Sequence, residues 1–445
     1  MASMFSSVVQ QDGPLVTFAD IGEGTGKSAL ICHIISWAKK KYKTKNIAVT
    51  APTGIAARNV SLSRGVGGRS IHAWAGIWTG KEDIDTLVGR VERSEAAKQR
   101  WLDVKILIID EVSMLDGCLF DKLEYIARRI RETDDHFGGI QLVVTGDFFQ
   151  LPPVPDFSRP GSTLFAFEAK SWGDCFDSGP IFLERIFRQK NQAFIRLLSA
   201  IRVGKIRPEH VAMLRVMQRP LKYEDGIEPA QLYSRRDEVE SYNLTRLHQI
   251  QGRETVYKSV GAQVMLLKNI PIPGEHVNGD IGRVVEFLRI DDAIRCNIPI
   301  VGVHPKEPNS VAQVDHRLGL SDRRFDINGM WPLVLFTDGQ TLLCPPQRFA
   351  VTDSKGTMQA SRFQIPLILA WAISIHKSQG QTFPRVVVDL ARVFEYGQMY
   401  VALSRATTPR GLEIRNLPPD LGGLKMAHPK VLRWYNTWID DVSTS

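Results

Sequence analysis

The sequence predicts an α/β fold in which parallel sheets are flanked by helices, and three observations support this. In the first third of the chain, short apolar runs alternate with amphipathic stretches, a pattern typical of a parallel sheet covered by helices. The α/β pattern returns after residue 365, which predicts a second lobe of the same class. Between the two, residues 262–350 consist of short β-like runs separated by Gly, Pro, Asn and Asp. That composition predicts a small antiparallel or barrel-like insert.

The first lobe is predicted to contain a parallel sheet and long helices. Its predicted strands are 15–19, 46–50, 105–109 and 140–145, and its predicted helices are 27–42 and 119–131. Residues 61–100 are rich in Gly and then in charge, so we expect an insertion on the lobe surface. The first lobe is therefore predicted to span residues 1–178, with a hinge near the end of 161–179.

The second lobe is predicted to be split by the β-rich insert. Its first part, 179–260, contains helices at 192–202 and 237–249 and a strand at 230–234. The insert is predicted to span 261–364, with strands at 262–268, 282–288 and 333–336. An apolar run at 365–375 and a strand at 385–389 belong to the remainder of the second lobe, 365–445.

Composition narrows the class of protein. A chain of 445 residues with 43% hydrophobic content is long enough for two or three separate cores. The net charge of +8 suits a polyanionic partner, because Lys and Arg contacts to phosphate supply most non-specific affinity for nucleic acid. Taken singly, basic clusters such as 39–43 and 128–131 are more typical of solvated helix ends.

The sequence contains no clear membrane span, targeting signal or disulfide pattern. No apolar run approaches the roughly 18 residues of a membrane span, so we expect no membrane partner. Residues 1–11 lack a basic flank, an apolar core and Arg, which argues against an export signal or a transit peptide. The five cysteines form no C-x-x-C pair, so we expect free thiols in a reducing compartment, nucleus or cytosol.

A phosphate-binding loop is the strongest single signal. Gly24, Thr25, Gly26, Lys27 and Ser28 follow a predicted strand and open a predicted helix. Glycines let backbone N–H groups close around phosphate oxygens, while the lysine can reach the β- and γ-phosphates. The Ser28 hydroxyl is suited to Mg²⁺. These residues predict a site for ATP and Mg²⁺, although the strict motif would have Gly in place of Ile21.

Acidic and amide side chains follow the next strands of the predicted sheet. Asp110 and Glu111 end the strand at 105–109, and open α/β sheets bind ligands at the carboxyl ends of their strands. Asp110 is predicted to hold Mg²⁺, and Glu111 to orient and deprotonate the attacking water. An Asp-Glu pair read alone is more typical of a helix N-terminus, but Lys27 upstream favours the site. Gln150, in the turn after the strand at 140–145, is predicted to lie near the γ-phosphate.

Two arginines in the second half of the chain, Arg188 and Arg405, could reach a nucleotide held by the first lobe. Such residues stabilise the charge of a transition state. For either one taken singly, a surface salt bridge is the alternative.

Six motifs resemble, in order and over nearly the whole chain, those of superfamily-one helicases. They are 50–57 (TAPTGIAA), 108–115 (IIDEVSML), 146–154 (GDFFQLPPV), 187–189 (FRQ), 374–382 (SIHKSQGQT) and 400–406 (YVALSRA). Residues 124–141 look like the signature segment of the petite-integration-frequency (Pif) DNA helicases. Residues 277–279 and 331–334 are also similar to that family's second lobe.

The resemblance implies an ATP-dependent DNA helicase of the 5′-to-3′ RecD-like group. Two RecA-like P-loop lobes, a small wedge insert in the first and a β-barrel-like insert in the second are then expected. The implied ATP site between the lobes consists of Lys27, Ser28, Asp110, Glu111, Gln150, Arg188 and Arg405. The implied DNA groove contains Thr50, Pro52, Thr53, His72, His376, Lys377 and Ser378.

Partners and roles follow from the same resemblance. We expect single-stranded DNA and DNA junctions as partners, and roles in repair, recombination or telomere maintenance. The protein is expected to be a monomer in solution and to be nuclear, with a mitochondrial location the alternative that the family suggests. Trp74 and Phe149 are expected either to stack on bases or to pack in the core.

Three departures from the family keep another reading open. Gln10 and Gln11 lack the sequence context of the family's adenine-reading Gln, and residues 21–23 (IGE) replace a Gly-small-Ala entry to the phosphate loop. The connection between Gly252 and Gly261 is short. The alternative is a degenerate relative that binds nucleic acid or a partner with little ATP turnover. A P-loop ATPase acting on a protein would leave the match at 376–382 unexplained.

Overall fold

The computed structural model describes most of the chain. The described residues are 16–20, 24–54, 56–57, 66–155, 163–176, 179–183, 185–223, 228–250, 260–267, 280–303, 329–336, 339–352, 358–421 and 423–442. Gln10, Gln11, the loop entry at 21–23, the connection at 251–259 and the match at 277–279 lie outside these residues.

Seventeen strands lie in the described residues, and nine of them overlap the nine strands that the sequence predicted. In chain order they are β1 Val16–Asp20, β2 Ile47–Ala51, β3 Arg69–Ser70, β4 Ile106–Ile109, β5 Gln141–Gly146, β6 Pro180–Leu183, β7 Ala230–Tyr233, β8 Gln263–Leu266, β9 Ile281–Leu288, β10 Trp331–Phe336, β11 Thr341–Leu343, β12 Gln347–Thr352, β13 Met358–Gln364, β14 Leu367–Leu369, β15 Ala372–Ser374, β16 Val386–Asp389 and β17 Leu412–Arg415.

The helices complete the α/β pattern. They are α1 Lys27–Lys41, α2 Ile71–Ala75, α3 Ile84–Arg93, α4 Glu95–Asp103, α5 Gly117–Arg131, α6 Trp172–Cys175, α7 Gln192–Arg202, α8 Pro208–Val216, α9 Arg236–His248, α10 Ile290–Arg295, α11 Ile375–Ser378, α12 Gln398–Ser404 and α13 Pro429–Val442. Among the described residues, no helix combines the length and apolarity needed to cross a membrane.

The first lobe is built on a six-stranded parallel sheet with the order β3-β2-β4-β5-β1-β6. The central strand β4 is buried along its whole length, as a strand covered on both sides must be. Helix α5 begins where the Asp116 carboxylate accepts from the Cys118 and Leu119 N–H groups, and it ends at Glu132 in the left-handed conformation. The predicted parallel sheet flanked by helices is confirmed.

The segment predicted as an insert at 61–100 packs tightly on the lobe from residue 66 onward. Ile71 and Leu87 of this segment are fully buried in the largest hydrophobic core, together with Trp101 just beyond it. Trp74 is also buried, and its ring lies 4.6 Å from that of Trp101. This part of the segment therefore belongs to the core of the first lobe and is more than a surface excursion. Its apolar positions are interleaved with charged ones at helical spacing, which concealed them in the sequence.

The second lobe has a four-stranded parallel sheet with the order β15-β7-β16-β17. A five-stranded antiparallel sheet, β11-β10-β9-β8-β14, forms most of the insert, and β12 pairs with β13 beside it. The two-lobed α/β class is thus as predicted. The described strands form an open sheet, so a barrel-like closure of the insert stays a prediction, as do the boundaries at 178, 260 and 364.

The last helix crosses back to the first lobe. Val431 and Tyr435 of α13 are buried in the first lobe's core. The ring of Trp434 stacks on that of Phe167, with centroids 5.0 Å apart. Position in the sequence assigned this segment to the second lobe, but its apolar residues are buried against the first. Helix α13 therefore ties the two lobes together.

Candidate nucleotide site and DNA-facing residues

The phosphate loop connects β1 to α1 and is shaped by its glycines. Gly24 and Gly26 have φ of 80° and 92°, a left-handed conformation that favours glycine. Gly26 is the N-cap of α1, and a helix N-terminus is suited to bind an anion. Lys27 is half-buried and Ser28 is exposed at the start of the helix. The buried Thr25 hydroxyl has no hydrogen-bond partner among the described residues.

The two acidic residues lie at the carboxyl end of β4. Asp110 Oδ1 accepts from the Thr145 hydroxyl at 2.5 Å and from the Glu111 N–H at 2.9 Å, which fixes the carboxylate. Glu111 has φ of 53°, a conformation that a non-glycine residue adopts only at some cost in free energy. Strain of this kind is concentrated at functional sites, where the surrounding structure maintains it.

Glu111 is buried at the boundary between the lobes. Its Oε2 accepts from the Gln379 side-chain N–H at 3.2 Å, a contact that spans the two lobes. Burial raises the pKa of Glu111 above its ordinary value, the Lys27 charge and the Gln379 hydrogen bond oppose this, and Asp110 adds to it. A carboxyl group with a raised pKa is suited to accept a proton near neutral pH.

Gln150 is a buried polar residue of the first lobe. It follows β5 in a tight turn in which its N–H donates to the Asp147 carbonyl at 3.0 Å. Its side chain is 1% exposed. Neither its amide oxygen nor its amide nitrogen has a hydrogen-bond partner among the described residues. Because buried amides are usually hydrogen-bonded, an amide in this environment is suited to bind a polar ligand.

Arg188 meets the phosphate loop directly. The Gly24 carbonyl accepts from the backbone N–H groups of Phe187 at 2.7 Å and of Arg188 at 3.2 Å. A Cβ atom on Gly24 would lie 2.3 Å from the Cβ atom of Arg188, so only glycine fits. The structure therefore places the backbone of Arg188 beside the loop, and contact of its guanidinium with a nucleotide stays a prediction.

Arg405 has a different environment. It is fully buried, and its guanidinium donates to the carbonyls of Val401 at 2.8 Å, Gln381 at 3.0 Å and Ser378 at 3.3 Å. Burial lowers its pKa. These bonds join α12 to the segment after α11 within the second lobe. Its predicted contact with the nucleotide stays a prediction.

Gln189 is a connecting residue that the sequence analysis left without a role. Its side-chain amide is buried and donates to the carbonyls of Ser404 at 3.2 Å and Ala406 at 3.1 Å. The segment that places Arg188 at the phosphate loop is thereby fixed to the end of α12. Its position next to Arg188, in the 187–189 motif, is the sequence signal that could have identified it.

The residues proposed for Mg²⁺ fit that ion by type. Ser28 and Asp110 supply a hydroxyl and a carboxylate, and Mg²⁺ prefers oxygen ligands. Within the described ranges, no group of three or more His, Cys, Asp and Glu side chains could hold a metal by itself. Mg²⁺ is usually held by one or two protein ligands together with phosphates and waters, so this small set is sufficient.

The predicted DNA-contact residues divide into two groups. Thr53 and Lys377 are exposed, and Pro52, His72 and His376 are half-buried. Burial lowers the pKa of both histidines, so they are neutral hydrogen-bonding groups at pH 7.

Thr50 and Ser378 are fully buried. Their hydroxyls donate to the carbonyls of Ile108 and Ile375, each at 2.8 Å. These two hydroxyls are engaged inside the lobes. Packing against neighbouring backbone decided this, and spacing in the sequence did not reveal it. Contact of Thr50 and Ser378 with DNA stays a prediction.

The two aromatic residues considered for base stacking are core residues. Trp74 packs against Trp101, and Phe149 lies 4.5 Å from the Tyr435 ring. Trp78, which the sequence analysis missed, is 77% exposed, and the Arg90 guanidinium lies 5.1 Å from its ring centre. A large exposed aromatic beside a cation is the type of group that single-stranded nucleic acid can stack on.

Fold and site together define a two-lobed P-loop protein whose nucleotide site is completed by side chains from both lobes. The family model described as PIF1-like helicase matches residues 1–211. A model described as UvrD-like helicase C-terminal domain matches residues 369–409.

Known relatives agree with this class. The crystal structure of Pif1 helicase from Candida albicans is 35% identical, covers 98% of each chain and superimposes with a TM-score of 0.79. ATP-dependent DNA helicase PIF1 of Emericella nidulans is 40% identical over 94% of this chain and 60% of its own length. ATP-dependent DNA helicase RRM3 of Saccharomyces cerevisiae is 37% identical over 89% of this chain and 62% of its own length. The chain belongs to the Pif1 helicase family.

The chain spans 60% of the Emericella nidulans relative and 62% of the yeast relative. A Pif1 helicase from Bacteroides, solved with ADP-AlF3 and single-stranded DNA, shares the fold with a TM-score of 0.66 at 23% identity.

Proposed function

We propose that this chain is an ATP-dependent DNA helicase that moves 5′ to 3′ along single-stranded DNA and unwinds DNA structures in genome maintenance. One observation carries the proposal: Glu111, strained and buried, receives a hydrogen bond from Gln379 of the other lobe at 3.2 Å. Because the general base of one lobe is held by a side chain of the other, ATP turnover is linked to the relative position of the lobes.

Each side chain of the site has a separate role in ATP hydrolysis. Glu111 accepts the proton of the attacking water. Gln150, whose amide has no partner among the described residues, orients that water or a phosphate oxygen. Lys27 and Arg188 offset phosphate charge, and Ser28 and Asp110 would hold Mg²⁺, which supplies further charge neutralisation. Positioning and electrostatics of this kind account for most catalysis of phosphoryl transfer.

Movement along DNA follows from where the exposed residues lie. Thr53 belongs to the first lobe and Lys377 to the second, and both are exposed. If each contacts the DNA backbone, a change in lobe separation during turnover shifts one contact relative to the other. Lys377 is only two residues from Gln379, which contacts Glu111. One short segment therefore links hydrolysis at Glu111 to the DNA contact of Lys377.

We further propose that the partners are single-stranded DNA and DNA junctions, that the protein is a monomer in solution and that it acts in the nucleus. The net charge of +8 supports the first of these. Imaging of the tagged chain tests the location, and light scattering with and without DNA tests the oligomeric state.

The deciding experiment measures ATP hydrolysis by the purified chain with and without single-stranded DNA, and strand separation on duplexes with a 5′ or a 3′ tail. We expect stimulation by DNA and unwinding of the 5′-tailed substrate. DNA binding without turnover would support the degenerate relative. Turnover that DNA does not affect would exclude a DNA motor.

A further inference from the structure

The turn that carries Gln150 is attached to the second lobe by a buried ion pair. Asp147, the first residue after Gly146 of β5, is fully buried. Arg202, the last residue of α7 in the second lobe, donates from Nη2 to Asp147 Oδ1 at 2.8 Å and from Nε to both carboxylate oxygens at 3.2 Å. The pair is 55 residues apart in sequence and joins the two lobes.

Aromatic groups complete the attachment. The Arg202 guanidinium lies 4.3 Å from the centre of the Phe149 ring and 5.3 Å from that of Tyr435. Its Nη2 also lies 3.3 Å from the Tyr435 hydroxyl. Tyr435 belongs to α13, so the turn, the second lobe and the last helix meet at one guanidinium.

The backbone of the turn is held on both sides. Asp147 Oδ1 accepts from the Phe149 N–H at 3.1 Å, and the Asp147 carbonyl accepts from the Gln150 N–H at 3.0 Å. On the opposite side, a Cβ atom on Gly397 would lie 2.4 Å from the Phe149 carbonyl and 2.5 Å from that of Gln150. Side chains other than glycine at 397 would therefore displace the turn.

A buried ion pair contributes little net stability, because desolvation of both charges offsets their attraction. Such a pair instead defines geometry, because a planar guanidinium and a carboxylate fix each other's orientation. The Asp147 carboxylate receives Arg202 and the Phe149 N–H together. The orientation of Arg202 is thus transmitted to the residue that precedes Gln150.

We propose that Arg202 is a positioning residue for nucleotide hydrolysis. It acts through Asp147 and Phe149 to hold the Gln150 amide in the site, and Tyr435 supports the Arg202 guanidinium. This inference rests on the proposed function. Because Arg202 comes from the second lobe and Tyr435 from α13, the placement of Gln150 depends on all three parts of the molecule.

Kinetics distinguish positioning from simple support of the fold. We expect Arg202→Met to lower kcat for DNA-stimulated hydrolysis by about tenfold or more, with KM for ATP changed by less than about twofold. In a Gln150→Ala background, Arg202→Met should lower kcat no further, because its target is gone. Tyr435→Phe should give a smaller effect of the same kind. Additive losses in the double variant would overturn the proposal.

Arg415→Met is the matched control. Arg415 lies on the edge strand β17 of the second-lobe sheet, where it donates to Glu413 at 2.7 Å and to Gln231 at 3.2 Å. We expect a loss of an ion pair there to leave kcat unchanged. An equal fall in kcat in Arg415→Met would show that general loosening of the second lobe, rather than the turn, sets the rate.

Hydrogen exchange provides a readout that needs no turnover. In Arg202→Met, the amides of Phe149 and Gln150 should exchange faster, whereas Arg415→Met should leave them unchanged. Unaltered exchange at these amides in Arg202→Met would overturn the proposal. If exchange rises as expected but the unmodified chain shows no DNA-stimulated hydrolysis, the positioning of the turn stands and the proposed function fails.

Discussion

The first-lobe loops of the nucleotide site and the second-lobe segment 374–406 both carry buried polar residues in helicase-like motifs, yet they use them differently. In the first lobe, the Thr25 hydroxyl and the Gln150 amide have no partner among the described residues. In the second, Ser378 and Arg405 bind neighbouring carbonyls. Two second-lobe glutamines are exceptions. The Gln379 nitrogen reaches Glu111, and the side-chain oxygens of Gln379 and Gln381 lack a partner among the described residues.

The difference separates two roles that a motif match cannot distinguish. A buried polar group without a hydrogen bond costs about 1–3 kcal/mol, so it persists where a ligand completes it. A buried polar group with internal partners stabilises the fold that surrounds it. Substitution of these first-lobe residues or of Gln379 is therefore expected to change nucleotide binding or turnover. Substitution of Ser378 or Arg405 is expected to change the free energy of unfolding.

Glu111→Gln should give the largest change. Loss of the general base is expected to lower DNA-stimulated hydrolysis by at least about a hundredfold while leaving nucleotide affinity nearly unchanged. Turnover and nucleotide titration on the same preparation measure this. Glu286→Gln, an exposed residue of the insert, is the control and should change neither. Parallel loss of binding and turnover by Glu111→Gln would assign Glu111 to the fold.

Salt should have the next largest effect, on DNA binding. If about four phosphates are neutralised, affinity for single-stranded DNA falls about fiftyfold between about 50 and about 200 mM salt. Lys377→Ala should reduce the log–log slope by about one unit, because Lys377 is exposed. Ser378→Ala should not alter it, because that hydroxyl is buried. A flat salt plot would remove the nucleic-acid proposal.

Arg405→Met tests the second-lobe side of the comparison. Removing the guanidinium leaves the carbonyls of Val401, Ser378 and Gln381 without this donor. We expect the free energy of unfolding to fall by about 2 kcal/mol. The exposed Arg410→Met should change it by less than about 0.5 kcal/mol. Unchanged stability with lost turnover would instead make Arg405 a catalytic finger.

The entry to the phosphate loop, outside the described residues, offers a test from sequence alone. Ile is β-branched and resists positive φ, and a carboxylate near a triphosphate repels it. Ile21→Gly combined with Glu23→Ala is expected to tighten ATP binding by about tenfold, or about 1.4 kcal/mol. Titration at matched Mg²⁺ measures this. Equal affinities would mean that the loop tolerates its unusual entry.

The pH dependence of hydrolysis should show the smallest effect. Because burial raises the pKa of Glu111, its carboxyl is protonated on acidification at a higher pH than an ordinary glutamate. Activity is therefore lost below that pKa and is present above it. Gln379→Ala removes a hydrogen bond that lowers the pKa, so the acidic limb should move further upward. The exposed Gln218→Ala should leave the limb in place, and an unmoved limb in Gln379→Ala would contradict the assignment.

Local chemistry was readable from the sequence. Three local patterns predicted their elements within one or two residues. The apolar run before Asp110 predicted a strand, the glycines before Lys27 predicted the phosphate loop, and the helical spacing of apolar residues in 192–202 predicted α7. These features depend on neighbours in the chain, because strand burial, positive φ and helical periodicity are local properties. The site residues of the first lobe follow from them, since the carboxyl ends of parallel strands meet at one edge.

Only the tertiary structure decided which buried polar side chains have hydrogen-bond partners among the described residues and which have none. Nothing local to Thr50 or Arg405 shows that carbonyls from other segments bind their side chains. Helix α13 packs on the first lobe although it follows the second, because its apolar residues are buried there. Arg202 and Asp147 are joined across 55 residues of chain. Sequence spacing carries no signal for such contacts, because they depend on how the two lobes pack together.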